Sequence, residues 1–470
     1  MPLQSMKLLL HKRPSVCLKE SQKMKVLLLR LLLLLYGIFY LYADVWAQDR
    51  YVEIVQRYGK PQFYLETAIA PMASPDSMRL IAHMKISYDN AFFAKRQDGK
   101  FGAELSFTVE VLNRQVSVAR KVQRRVIVVD SFAATKDRSR FVEAAFDIPL
   151  RAGEYEVLSE IYSDEIQKQI RLDKRRIAPK PRKTVTMSDI MMVSRATLQA
   201  DELYFKLLGA AGNGIFGKDY VGIVEVIAPQ PIDALTWELY EKSTQSEKLL
   251  EKKSVPKENI IPIKSIEVNE KGEKNYTLSA QRLDRSVRYL AVIDFQAERL
   301  ANMRFKLKVI AQSGKETNEV VKEFENAWID IPFALYDITL AIRLMEYILP
   351  AEALNEMQSG SAEEQRRKFL DYWKKRDPTP DTEYNELMAE YYRRVDYAFF
   401  NFYTPREFGW RTDRGKTYIL YGEPSSITRE FPVNRPTQEI WTYNEIKKRF
   451  IFADRTNTGN YERIAEEDLP

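Results

Sequence analysis

Cysteine and histidine are nearly missing from this chain. Among its 470 residues there is a single cysteine, Cys17, and there are two histidines, His11 and His83. Cys17 and His11 both precede residue 48, so a chain shortened to that point would keep only His83. Disulfides, thiolate catalysis and Cys/His zinc clusters are then excluded, and a Ser-His-Asp triad would have to rest on His83 alone. That residue sits in the strand-like run Ile81-Ala82-His83-Met84, where a lone imidazole reads as structural. An excess of one charge is missing too. The formal net charge is +6, yet residues 1–47 hold Lys7, Lys12, Arg13, Lys19, Lys23, Lys25 and Arg30 against Glu20 and Asp44, leaving 65 basic and 64 acidic side chains beyond them. Global charge therefore makes no case for nucleic-acid binding. With 45% hydrophobic and 29% charged residues, the composition is globular and excludes a disordered, collagen-like or polytopic membrane chain.

The one long apolar run is near the start. Met24-Lys25 opens it, Arg30 interrupts it, and thirteen uncharged residues follow from Leu31 to Ala43. A spanning helix needs about 20 apolar residues and a signal h-region roughly 7–15, so the uninterrupted part fits a secretory signal. Val45-Trp46-Ala47 offers a cleavage site that starts the mature chain near Gln48. The reading adopted is a signal peptide over 1–47; an uncleaved N-terminal membrane anchor, with Arg30 snorkelling, is the alternative. Without cysteines an exported chain must be held by its cores, which some 420 residues in about three domains can supply.

After a lead-in over 48–84, period-two alternation predicts a β-sandwich over 85–176. Leu105, Phe107, Val109 and Val111 share one strand face, Val126 to Val129 form another run, and 141–148 and 154–161 flank a Pro/Gly turn. The spacing is Ig-like. Residues 177–219 read as a connection, entered by a basic stretch with Arg171, Lys174, Arg175, Arg176, Lys180, Arg182 and Lys183 against Asp173. A contact for an anionic surface is one reading; a solvated linker is the one adopted, because no aromatic side chains interleave the charges. A second sandwich is predicted over 220–328, from the runs at 223–227, 235–240, 289–295 and 305–310.

Beyond it the periodicity changes, and 329–470 is predicted to be α+β. Leu335, Ile338, Ala341, Ile342, Met345 and Ile348 have helical spacing, and Ser361 with Glu364 forms a capping box before Phe369, Leu370 and Trp373. Asp381 is the expected cap of a third helix with the stripe Tyr384, Leu387, Met388, Tyr391 and Val395. Short strands are expected at 417–421, 439–443 and 449–453. The fold class is thus multidomain, two all-β modules followed by an α+β C-terminal domain.

One constellation stands out. Trp373, Arg376, Asp377 and Pro378 end a helix, and Gly409-Trp410-Arg411-Thr412-Asp413-Arg414-Gly415 follows, then Tyr418, Gly422, Glu423 and Pro424. In these residues, and in Glu439-Ile440-Trp441 and Phe452-Ala453-Asp454-Arg455 with Gly459 and Tyr461, the chain resembles the GWxTD-domain family of exported bacterial proteins over roughly 330–465. The resemblance implies an exported or envelope-associated protein whose C-terminal domain carries no established activity and no catalytic residues to transfer.

Two readings of the motif remain open. In the first it is a staple: Gly409, Gly415 and Gly422 serve turns or close approaches, Thr412 or Asp413 accepts backbone N–H bonds, Arg414 pairs with a carboxylate such as Asp377 or Asp413, and Trp373 and Trp410 bury against each other or against the tyrosine stripe. In the second, Asp377, Asp413 and Glu423 converge in a cleft beside Arg376, Arg411 and Arg414 and serve as acid and base on a glycan, or bind one. The D-x-D-x-D-G calcium spacing is absent, and the glycine-rich Gly209–Gly214 lacks the Lys-Ser/Thr of a phosphate loop. The reading adopted is a noncatalytic exported envelope protein, periplasmic or envelope-associated, with a protein or envelope component as partner and with no metal, cofactor or nucleic acid; the alternative is an envelope glycan hydrolase or glycan-binding protein.

Overall fold

The computed structural model describes residues 46–59, 63–74, 76–172, 174–181, 183–270, 277–405, 407–431, 433 and 435–469. The expected signal peptide lies outside the described residues except for Trp46 and Ala47, which are helical together with the residues that follow as far as 58. Among the described residues no helix is long and apolar enough to cross a membrane. The contacts divide the chain into two units: Lys60–Pro332 with Arg366–Tyr397, and the residues through Gly59 with Phe333–Gln365 and Ala398–Pro470.

The larger unit is built mostly of stacked β layers. The first sandwich pairs a three-stranded sheet, in the order Phe63–Pro71, Ser77–Ser87, Phe141–Arg151, with a sheet centred on Phe101–Asn113. That central strand lies between Val116–Val129 and Tyr155–Ser163. Leu80, Met84, Phe107, Val109, Phe146 and Ile161 fill the core between the sheets. The second sandwich sets an eight-stranded sheet around Val221–Ile227 and Arg288–Ile293 against a five-stranded sheet around Arg304–Ser313 and Ala234–Lys242. Trp237, Phe295, Phe305 and Leu307 close its core.

A third apolar core joins Ala68, Ala70 and Ile81 of the three-stranded sheet to Met191, Phe205, Ile223 and Leu290 of the eight-stranded one. The strand Ser77–Ser87 is therefore buried on both faces. This corrects the sequence-based organisation at two places. The expected lead-in supplies two strands of the first sandwich, and the expected connection supplies Thr186–Met187, Met191–Val193 and Glu202–Phe205 to the second. Neither shows in the sequence pattern, for a physical reason: a two-sided strand lacks alternation, and strands of two to four residues are shorter than any periodicity window.

The face of Ser77–Ser87 turned toward the third core also carries charge. Arg79 lies 3.2 Å from Asp147 and 3.7 Å from Glu225, and Glu225 is paired with Arg288. His83, fully buried, meets Glu143 at 3.2 Å, so its role here is that of a structural partner. Burial works against the charged form of Glu143, yet His83, Lys206 and Lys85 together hold its carboxyl down to about 2.

The smaller unit is α+β. Asp337 caps a short helix, Ile338–Arg343, by accepting the Leu340 N–H, and 3₁₀ turns flank it on both sides. Ser361 and Glu364 form the predicted capping box: the Glu364 N–H donates to Ser361 Oγ at 3.3 Å and the Ser361 N–H to Glu364 Oε2 at 2.8 Å. A four-stranded antiparallel sheet runs in chain order through Ser426–Glu430, Thr437–Tyr443, Lys448–Asp454 and Tyr461–Asp468.

Candidate functional site

The stretch expected to be a short strand after the motif is a helix, Asp413–Tyr421. Thr412 makes it so. Its backbone is extended, and its Oγ1 accepts the Gly415 N–H at 3.0 Å while donating to the Gly409 carbonyl at 2.9 Å. Asp413 puts a negative charge in the first turn, where the helix dipole favours it. Gly422 ends the helix at φ +77°, and its carbonyl accepts the Tyr443 hydroxyl at 2.9 Å.

Around this turn the backbone is packed without room for side chains. A Cβ on Gly409 would lie 1.8 Å from the Ala398 carbonyl oxygen. Trp410, 2% exposed, stacks on Phe399 at 5.1 Å and meets Tyr51 edge-on at 5.1 Å, while its carbonyl accepts the Tyr347 hydroxyl at 2.9 Å. Burying such an indole contributes several kcal/mol, on the order of 3–5 by truncation to alanine. Asp413 Oδ2 accepts the Arg463 N–H at 2.8 Å, and its carbonyl accepts the Thr417 hydroxyl.

Arg414 departs from expectation. Its partners are neither Asp377 nor Asp413: it donates to the Gly459 carbonyl at 3.1 Å, lies 4.3 Å from the Tyr461 ring centroid and stands 3.6 Å from Glu439. Burial lowers the pKa of its guanidinium, with Glu439 opposing. Glu439 is itself buried and accepts from Trp441 Nε1 at 2.7 Å and Arg429 Nε at 3.0 Å. A buried carboxylate needs such donors. The carboxylate that anchors the motif arginine was thus visible in sequence only as part of a hairpin.

The remaining motif residues are engaged locally or exposed. In the larger unit Trp373 is buried among Phe369, Tyr372, Tyr391 and Tyr392. Asn385 caps the following helix by accepting the Met388 N–H at 2.8 Å and donates to the Trp373 carbonyl at 2.8 Å, so Asn385 takes the place expected of Asp381. Arg376 lies 3.8 Å from the Tyr372 ring centroid and donates to the Tyr372 carbonyl. Asp377 accepts the Thr379 N–H at 2.9 Å in a local turn. In the smaller unit Glu423 is exposed, with no hydrogen bond or ion pair to another described residue, and Pro424 is half-buried beside it.

One titratable group near the motif was not foreseen. Burial raises the pKa of Glu407, and Asp413 pushes the same way against Lys416 and Arg411. Among the described residues no group of three or more His, Cys, Asp or Glu side chains is placed to hold a metal ion.

Two β-sandwiches precede the α+β region that carries this glycine-tryptophan-threonine-aspartate turn. The sequence profile of the GWxTD domain matches residues 334–465, and that part of the chain is a GWxTD domain. A comparison with curated proteins finds no match.

Proposed function

We propose that this is a noncatalytic exported protein of the cell envelope, in which the GWxTD domain is an interaction or scaffold module for a protein or another envelope component. One observation carries the reading: Trp410, Thr412, Asp413 and Arg414 spend their polar groups or buried area on the domain's own backbone and rings. A catalytic group would need to reach a substrate. Export rests on the apolar run before residue 48. Osmotic-shock fractionation tests it: the protein is expected among periplasmic or envelope material with a mature start near Gln48, or in the membrane if the leader stays as an anchor. Recovery in the cytosol with residues 1–47 attached contradicts it.

A second reading is favoured by Glu407. Burial raises the pKa of the Glu407 carboxyl and the charge of Asp413 adds to it, and two interacting carboxyls are the parts that glycan cleavage uses. Asp413 enters that pair already bonded to the Arg463 N–H, which favours the first reading.

A further inference from the structure

A cleft of about 400 Å³ opens in the larger unit, well away in sequence from the GWxTD motif. Its lining is strongly cationic. Lys85, Arg138, Arg140, Lys206 and Lys218 face it against two carboxylates, Glu143 and Asp330. Those charges come from five separate stretches of chain: the end of the strand Ser77–Ser87, the approach to and start of Phe141–Arg151, the residue after Glu202–Phe205, the turn after Gly214–Ile215, and the residues beyond Glu316–Ala327.

The internal acids do not balance this set. Glu143 is already engaged by His83 at 3.2 Å and by Lys206 at 3.2 Å. Arg138 is 3.8 Å from Asp89. Among the described residues Lys85, Arg140 and Lys218 have no ion pair with a carboxylate. Lys85 is the telling one. Only 5% exposed, its ammonium donates to the Leu208 carbonyl at 2.9 Å and lies 3.9 Å from the Phe141 ring centroid. Its nearest partners are a carbonyl dipole and a ring face, and Glu143 and Glu66 favour its charge only from beyond ion-pair distance. A buried ammonium in such surroundings is costly unless an anion reaches it.

Arg140 is held ready on the rim. Its guanidinium stands 4.5 Å from the Tyr88 ring centroid and donates to the Tyr88 hydroxyl at 3.3 Å, which fixes the plane of a fork suited to carboxylate or phosphoryl oxygens. Lys218 is exposed at the mouth. We propose that this cleft binds a small polyanion carrying phosphoryl or multiple carboxylate groups, with Lys85 at the floor and Arg140 and Lys218 at the rim. The volume lies within the roughly 300–1,000 Å³ of small-molecule sites.

Calorimetric titration of the full chain with pyrophosphate and, separately, citrate at low ionic strength tests it. The wild type is expected to bind at least one of the two, and the arm that binds names the phosphoryl or the carboxylate class. Binding should weaken at least tenfold in Arg140→Gln/Lys218→Gln, both exposed positions whose loss leaves the cores intact. Lys180→Gln/Lys183→Gln, in the basic stretch outside this cleft, should bind as wild type. Absence of binding to both probes, an unchanged affinity in the first double variant, or an equal loss in the second overturns the proposal.

Discussion

A methyl group on Gly415 would come within 1.8 Å of the Gly409 carbonyl oxygen. The two glycines of the motif are thus in backbone contact, with Thr412 bonded to both: its hydroxyl donates to the first and accepts from the amide of the second. The spacing of glycine, threonine and glycine follows from that geometry.

Gly415→Ala should therefore force the turn apart. A loss of about 3 kcal/mol is expected, seen as a fall of roughly 6–12 °C in the unfolding temperature of the smaller unit. A melting curve superimposable on wild type would contradict the packing described.

Thr412→Ala removes the cap and should cost about 1 kcal/mol, whereas Thr412→Ser keeps the hydroxyl and most of the stability. Chemical denaturation of both variants distinguishes a hydrogen-bonding role from simple space filling. If serine is as damaging as alanine, the cap is not what the residue supplies.

Burial lowers the pKa of Lys85 to about 8, with Lys206 adding to the effect and with Glu143 and Glu66 opposing it. Above pH 8 the folded chain has released this proton while the unfolded chain, with a pKa near 10.5, still holds it. Stability should consequently rise with pH across that window, on the order of 3 kcal/mol for this group. Lys85→Met should lack the rise and be more stable than wild type at pH 7. A bound anion raises the same pKa, so polyanion affinity should fall as pH climbs through 8. Equal pH dependence of unfolding in wild type and Lys85→Met would refute the assignment.

Much of this was legible in the sequence, and the exceptions have identifiable causes. Ser361 and Glu364 announced their helix because both halves of the capping box are local. Asn385 gives no stronger local signal than Asp381, because what selects it is a bond to the Trp373 carbonyl, twelve residues away and only defined by the fold. The helix Asp413–Tyr421 read as a strand because Tyr418, Ile419, Leu420 and Tyr421 are a short apolar run, and such runs fit either structure. Arg79, His83 and Lys85 lie on a strand buried on both faces, and their partners come from other strands and loops. No local pattern could reveal that layer or the cleft at its end.

In the proposed role the motif holds its own domain together and performs no chemistry. Incubating the purified protein with isolated envelope glycan and assaying for released fragments addresses it most directly. No release by wild type is expected, together with a lowered unfolding temperature for Asp413→Asn. Fragments released by wild type and lost in Asp413→Asn or Glu407→Gln, with the variants melting at the wild-type temperature, would contradict it.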